Sequence, residues 1–300
     1  MELRQLRYFV RLAETLNFSE AAKTLFVTQS TLSQQIKQLE QELDTQLLLR
    51  TSRSVMLTEA GEELLPYARA TLNHADLCRV RMEDLKELLC GTLNIGVTYS
   101  FGPILTETVV TFMKEYPKVK LNIFYRPMAE LMEMLRNHEV DFAFAFRPSE
   151  RMEDVDSHVL FQTYLAVIAG DMHSLANRQK VTLEELSAYE LALPARGLQA
   201  RNALEKILET HPCELKVRAE LNEPNILLSL IRCNHLVTVL AEASIHKESG
   251  VKAIPIDLPD NGMDGCVHTL KGSFHKRSMR EFLKILTDSV AIRERVTAWL

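Results

Sequence analysis

Between Thr28 and Lys37 the sequence places Gln29, Ser30, Thr31, Ser33, Gln34 and Lys37 off an apolar spacing made by Leu32, Ile36 and Leu39. On a short helix that pattern leaves amides and hydroxyls on the outer face. These are the groups that read donor and acceptor patterns on base edges, and Gln29 or Gln34 can pair bidentately with adenine. Ser33, Lys37 and Arg50 suit phosphates, which fix position without carrying sequence information. Arg53 sits where a narrow, A·T-rich minor groove would take an arginine. The competing explanation is a solvated polar face. Against it, no Asp or Glu occurs between Ala21 and Leu39 or between Thr45 and Thr58. Residues 1–58 hold seven basic and six acidic side chains and the whole chain carries a net charge of −5, so placement argues for nucleic acid where the sum does not.

A second candidate site is Thr98-Tyr99-Ser100-Phe101-Gly102-Pro103, which follows an alternating strand and precedes a helix. Free backbone N–H groups at a helix start, with the hydroxyls of Thr98 and Ser100, suit an anion, and Phe101 lies in the same loop. Arg147 and Arg196 each follow a strand and are candidate counter-charges, with Thr238 contributed from further along the chain. A plainer alternative is that Thr98 and Ser100 only cap the helix.

Other chemistries lack the residues they need. Gly91-Thr92-Leu93-Asn94-Ile95-Gly96-Val97-Thr98 has the glycines of a phosphate loop, but Val97 occupies the lysine position. No nucleophile elbow, zinc-protease helix or dinucleotide fingerprint occurs, so no catalytic residue, metal site or cofactor is assigned. Cys78, Cys90, Cys213, Cys233 and Cys266 include no C-x-x-C pair and fit reduced thiols. The start of the chain lacks a signal-peptide layout, and no apolar run approaches the ~20 residues of a membrane span. A cytoplasmic protein is expected.

The elements that must position these groups follow from periodicity. Leu3, Leu6, Phe9, Val10, Ala13 and Leu16 give an amphipathic helix. Ser19 is a candidate N-cap for a second helix and Thr28 for a third. Three short helices joined by one tight turn make a helix-turn-helix, and Leu47–Leu57 supplies a wing. From Glu59 a long helix carries a near-heptad apolar stripe through Leu65, Leu72 and Met82, which predicts dimerisation, the plainer alternative being that the stripe packs on the chain's own effector domain. Beyond Cys90, strands alternate with helices in two halves, a parallel α/β arrangement whose ligands sit at strand carboxyl ends. The expected fold is α/β overall: a winged helix-turn-helix (1–58), a linker and dimerisation helix (59–90), and an effector-binding domain (91–300). The last divides into two lobes, about 91–162 with 268–300, and 163–267. The chain is expected to hinge near Gln162–Thr163 and Val267–His268.

The first 90 residues resemble the LysR-type transcriptional regulators of bacteria. The matching stretches are Leu3-Arg4-Gln5-Leu6-Arg7-Tyr8-Phe9, Asn17-Phe18-Ser19-Glu20-Ala21-Ala22, Thr28 to Glu40, and Arg53 to Gly61. Residues 91–300 resemble the family's effector domain more loosely, through Tyr116-Pro117, Glu139-Val140-Asp141-Phe142-Ala143 and the closing helix. The resemblance implies a periplasmic-binding-protein-like effector domain, promoter DNA and a small-molecule coinducer as partners, and dimers assembled into tetramers; RNA polymerase is a further partner to consider. Departures are Ser30 where proline is common, Asp44 where glycine is usual, Leu48 where phenylalanine is usual, and Cys233, His235 and Ala241 in the second half. Peroxide-sensing members carry two close cysteines, whereas Cys213 and Cys233 here are twenty residues apart, which argues against a redox switch.

Overall fold

The computed structural model describes residues 1–50, 55–85, 90–148, 150–233, 235–259, 261–290 and 292–293. The chain divides into two compact units, one built on Met1–Leu88 and the other on Leu89–Leu135 and Val140–Leu300. Among the described residues, no helix is long and apolar enough to cross a membrane.

The first unit contains helices α1 (Leu3–Thr15), α2 (Phe18–Thr24) and α3 (Gln29–Glu42), the strands β1 (Leu48–Arg50) and β2 (Val55–Leu57), and the long helix α4 (Glu59–Leu85). Leu6, Phe9, Leu12, Leu32, Ile36 and Leu39 meet in one core, as their spacing requires. Helix α2 starts two residues earlier than a Ser19 cap predicts. Asn17 is the cap, and its Oδ1 accepts from the N–H groups of Ser19 (2.9 Å) and Glu20 (3.1 Å), so one side chain satisfies two orphan donors. The turn into α3 puts Phe26 in the left-handed region (φ 56°), where the N–H of Val27 bonds the carbonyl of Ala22 and closes the end of α2. Phe26 is 95 % exposed, so it makes this turn without help from packing. The wing pairs antiparallel, Leu48 opposite Leu57 and Arg50 opposite Val55. Arg53, at its tip, lies outside the described residues.

The second unit runs β3 (Gly91–Val97), α5 (Gly102–Glu115), β4 (Val119–Tyr125), α6 (Met128–Arg136), β5 (Phe142–Phe146), β6 (Val155–Gly170), α7 (Leu183–Leu186), β7 (Glu190–Pro194), α8 (Gln199–Thr210), β8 (Lys216–Leu221), α9 (Pro224–Cys233), β9 (Thr238–Ala241), β10 (Val251–Pro255), β11 (Gly262–Leu270) and α10 (Arg277–Asp288). The sheet is mixed, which corrects the parallel expectation. Strands β4, β3 and β5 are parallel, but β11 and β6 follow antiparallel, with β9 and β10 on the far end of β6. A separate parallel pair, β7 and β8, flanks the second lobe. The sequence shows only Leu165–Ile168 of β6, because Asp156-Ser157-His158 interrupts the alternation before it. Strand β11 is hidden by Gly262, Asp264 and Gly265.

Besides a smaller cluster around Met128, Leu131, Met132 and Leu135, two larger apolar cores result. One gathers Leu93, Ile95, Phe101, Phe142, Phe144, Phe146, Val267 and Phe282; the other gathers Leu165–Ala169, Leu191, Leu204, Leu227, Leu228 and Val239. Strands β6 and β11 pass between them: Phe161 packs in the first core, Leu165 in the second, and Met263 touches both. At the passage the register slips between Gly265 and Cys266. A Cβ on Gly265 would lie 2.5 Å from the Phe161 ring, and that ring is itself packed edge to face with Phe101 and Phe144. Gly265→Ala is therefore expected to destabilise the chain by roughly 1–3 kcal/mol, the ordinary range for overpacking. Urea unfolding followed by tryptophan-independent circular dichroism measures it, and an unchanged midpoint would show that Phe161 has room to move.

Candidate nucleic-acid interface and effector cleft

Helix α3 exposes Gln29, Ser30, Thr31, Gln34 and Lys37, with Ser33 half-buried. Thr28 caps it: its Oγ1 accepts the N–H of Thr31 at 3.1 Å and shares hydroxyl contacts with Ser30 (2.9 Å) and Thr31 (2.8 Å). Ser19 donates its hydroxyl to Oε1 of Gln29 at 3.1 Å, which holds that amide at the start of the helix. Gln34 and Lys37 lie one turn apart on the same outer face, away from Leu32 and Ile36.

Arg50 occupies a different position from the one its charge suggests. Its Nη2 is 2.9 Å from Oε2 of Glu40, its Nη1 donates to Ser33 Oγ at 3.4 Å, and the guanidinium lies 5.0 Å from the centre of the Phe18 ring. Oε1 of Glu40 accepts the N–H groups of Leu47 (3.0 Å) and Leu48 (3.2 Å). Glu40 and Arg50 thus tie α3 to the wing and to α2. The phosphate role expected for Arg50 competes with this bridge, because a carboxylate already neutralises it.

The apolar stripe of α4 also divides. Leu72 is 9 % exposed and, with Ala68, belongs to the core shared with α1; Leu65 packs at its edge. Met82 is 56 % exposed. Leu72 and Leu65 are therefore held within the chain itself, and of the three seam residues Met82 is the one left for another molecule. Leu72→Ala should lower the stability of the N-terminal unit by roughly 2–5 kcal/mol. The loss should be the same at every protein concentration in chemical unfolding, whereas a dilution-dependent loss would return Leu72 to a subunit contact.

In the second unit a cleft with about 630 Å³ of empty space, its open mouth included, lies between the two cores. The first lobe lines it with Thr98, Tyr99, Ser100, Arg126, Pro127 and Met128; the second brings Pro194, Leu198, Gln199, Leu221, Leu227, Leu228, Leu240 and Ser244. Thr98 Oγ1 and Ser244 Oγ are buried without a hydrogen-bond partner, on residues only 7 % and 9 % exposed. Such a hydroxyl costs about 1–3 kcal/mol until something accepts from it or donates to it. Gln199 bridges the cleft. Its Oε1 accepts the N–H of Phe146 at 3.1 Å and its Nε2 donates to the Phe146 carbonyl at 2.8 Å, so the first turn of α8 pairs with the end of β5 as a strand would.

Of the residues expected to bind an effector, Thr98 and Ser100 line the cleft and four do not. Phe101 is fully buried in the first core against Phe144 and Phe146. Arg147 is drawn to Asp264 at 3.3 Å, and Arg196, 78 % exposed, to Glu205 at 3.4 Å. Thr238 lies inside β9 opposite Ile168, its hydroxyl buried and unpartnered but away from the cleft lining. Arg126, Gln199 and Ser244 were not anticipated. Arg126 follows the parallel strand β4, so the rule that ligands gather at strand carboxyl ends points to it. Nothing local distinguishes Gln199 or Ser244 before the lobes are brought together.

His268 sits in β11 where β5 and β6 flank it. Its Nε2 lies 3.3 Å from the Ala145 carbonyl and its Nδ1 2.8 Å from Ser157 Oγ, so the neutral ring donates from Nε2 and accepts from the serine hydroxyl. Burial pulls its pKa down to about 4, and the buried ring of His173 is lowered in the same direction. The unfolded chain therefore binds the proton that the folded chain refuses. The contribution of His268 is whole above pH 6.5 and declines as pH falls toward 4, by up to about 3 kcal/mol. Wild type compared with His268→Gln across pH 4–7 should show a steeper acid loss in wild type; parallel curves would mean that the imidazole titrates normally.

Comparison with known proteins gives a family for both units. Residues 3–62 match the bacterial regulatory helix-turn-helix protein, lysR family, and residues 86–291 match the LysR substrate binding domain. The chain belongs to the LysR family. Among its relatives in that family, the uncharacterized HTH-type transcriptional regulator YnfL of Escherichia coli K12 is 38% identical over 189 residues, covering 62% of this chain and 63% of that one. BudR of Raoultella terrigena, an HTH-type transcriptional regulator, is 35% identical over 189 residues, covering 62% and 65%. The chain thus spans under two thirds of the length of these two relatives. The full-length LysR-family regulator CbnR, solved with its target DNA, superposes with a TM-score of 0.72 at 21% identity, over 96% of this chain and 99% of that one, a likeness of fold.

Proposed function

We propose that this LysR-family chain is a sequence-specific DNA-binding transcriptional regulator, not an enzyme, that acts as a homo-oligomer under the control of a small anionic effector. The observation that carries the DNA half is the outer face of α3. Gln29, Ser30, Thr31, Gln34 and Lys37 are exposed together, and no acid lies between Ala21 and Leu39. The caps at Asn17 and Thr28 and the Glu40–Arg50 bridge hold that face rigid against the wing. Helix-turn-helix geometry puts the first turns of such a helix at the base edges of the major groove, and two heads per dimer read half-sites about one helical turn apart. In this reading Gln34 and Gln29 read bases, while Ser33 and Lys37 hold phosphates. Met82, exposed on α4, is the seam residue that supports a contact with a second copy.

The effector half rests on the cleft that Thr98, Ser100, Arg126 and Ser244 share. A bound effector changes transcription only through a difference in its affinity for two conformations. Closure of the lobes about the β6–β11 passage is the motion that would produce such a difference, with residues 1–58, 59–90 and 91–300 acting as head, linker and sensor.

The test begins with an operator selected from random duplexes by the purified chain. Gln34→Ala should weaken operator binding by ~1–3 kcal/mol while leaving non-specific binding nearly intact. Lys37→Ala should weaken binding to all duplexes and lower the slope of log affinity against log salt by about one. Wild-type affinity in both variants would remove α3 as the reading element.

A further inference from the structure

We infer that the effector is a monocarboxylate with an apolar body, and that the cleft selects against dianions; this rests on the reading of the cleft as the effector site. The polar groups gather at one end. Thr98 and Ser244 bring two buried hydroxyls with no partner; the short turn Tyr99–Phe101, which Thr98 precedes, packs against Glu242–Ile245, which holds Ser244. Ser100 and the guanidinium of Arg126 lie on the same lobe as Thr98. One carboxylate, an acceptor with several lone pairs, satisfies donors of this kind together.

The opposite wall has no second pole. From the second lobe it presents Pro194, Leu198, Leu221, Leu227, Leu228 and Leu240. The cations that could serve a second anionic group are committed elsewhere. Arg201, 8 % exposed at its side chain, lies 3.0 Å from Glu205 and 2.9 Å from Glu220, Arg196 is paired with Glu205, and Arg147 with Asp264. Among the described lining residues Arg126 is the one cation, and it too is shared, 3.4 Å from Glu130. The second amide that might serve, Gln199, is engaged at both ends by Phe146. A second charge placed against this wall would lose its water and gain nothing in return, whereas an aliphatic or aromatic body would be buried there at a gain proportional to its area.

Calorimetric titration and thermal unfolding of the full chain test this with five probes: 4-methylvalerate, phenylacetate, acetate, glutarate and inorganic phosphate. The two apolar monocarboxylates should bind at least tenfold more tightly than the other three and alone raise the unfolding temperature. Thr98→Val with Ser244→Ala should cost them at least tenfold. Leu198→Arg, at a half-buried wall position, should reverse the order and admit glutarate. Tight binding of glutarate or phosphate that is lost in the hydroxyl double variant would overturn the ligand class while keeping the cleft. Binding of the monocarboxylates that neither variant alters would overturn the cleft itself. Failure of both apolar monocarboxylates to bind overturns the proposal.

Discussion

Two antiparallel strands, Val155–Gly170 and Gly262–Leu270, carry the second unit, because their long pairing runs through both of its larger cores. Their pairing is continuous from Val155–Leu270 to Tyr164–Gly262 apart from one slip, and that slip falls where Gly265 lies under the Phe161 ring. A slip with a glycine is how a ladder bends without losing its hydrogen bonds elsewhere. The lobes can be set at an angle there because the backbone needs no side-chain volume at the bend. The cleft lies between the lobes that these strands join, and the Gln199–Phe146 amide pair bridges it.

The same units show how charge is distributed between structure and function. Arg50, Arg147 and Arg196 each look from sequence like a hand for an anion, and each is neutralised by a carboxylate within 3.4 Å. An arginine beside a carboxylate has less to offer a ligand, since binding must first break or share the existing pair. In the cleft lining the hydroxyls of Thr98 and Ser244 are buried without a partner, and on α3 the amides of Gln29 and Gln34 face solvent. In the proposed reading, neutral polar groups carry most of the recognition in both units, with Lys37 and Arg126 as the accompanying cations. For the head this fits base reading, which depends on donor and acceptor pattern. For the cleft it favours a ligand with one polar end.

The N-terminal head and its reading helix were legible in the sequence because every determinant is local. The spacing of Leu32, Ile36 and Leu39 selects the buried face of α3, Thr28 caps it, and the exposed residues follow by subtraction. Thr98 and Ser100 were likewise visible as a strand-to-helix loop. The mixed sheet was not, because β6 and β11 are held by pairing over a hundred residues apart, and each carries polar residues or glycines that a local pattern counts against a strand. The remaining members of the cleft depend on that pairing: Ser244 and Gln199 meet Thr98 and Phe146 only after β6 and β11 have joined the lobes.

By itself the sequence determined which helix faces are apolar, the Thr28 cap of α3, and which surface lacks acids, since propensity, capping and periodicity act over a few residues. Tertiary structure alone decided which charges are spent on partners and which polar groups remain unmet. Leu72 shows the distinction within one helix: its spacing announced a buried position, but whether the cover is α1 or a second chain is a property of what packs there. Burial is written in the pattern of side chains, whereas the identity of the partner depends on distances that only the folded chain establishes.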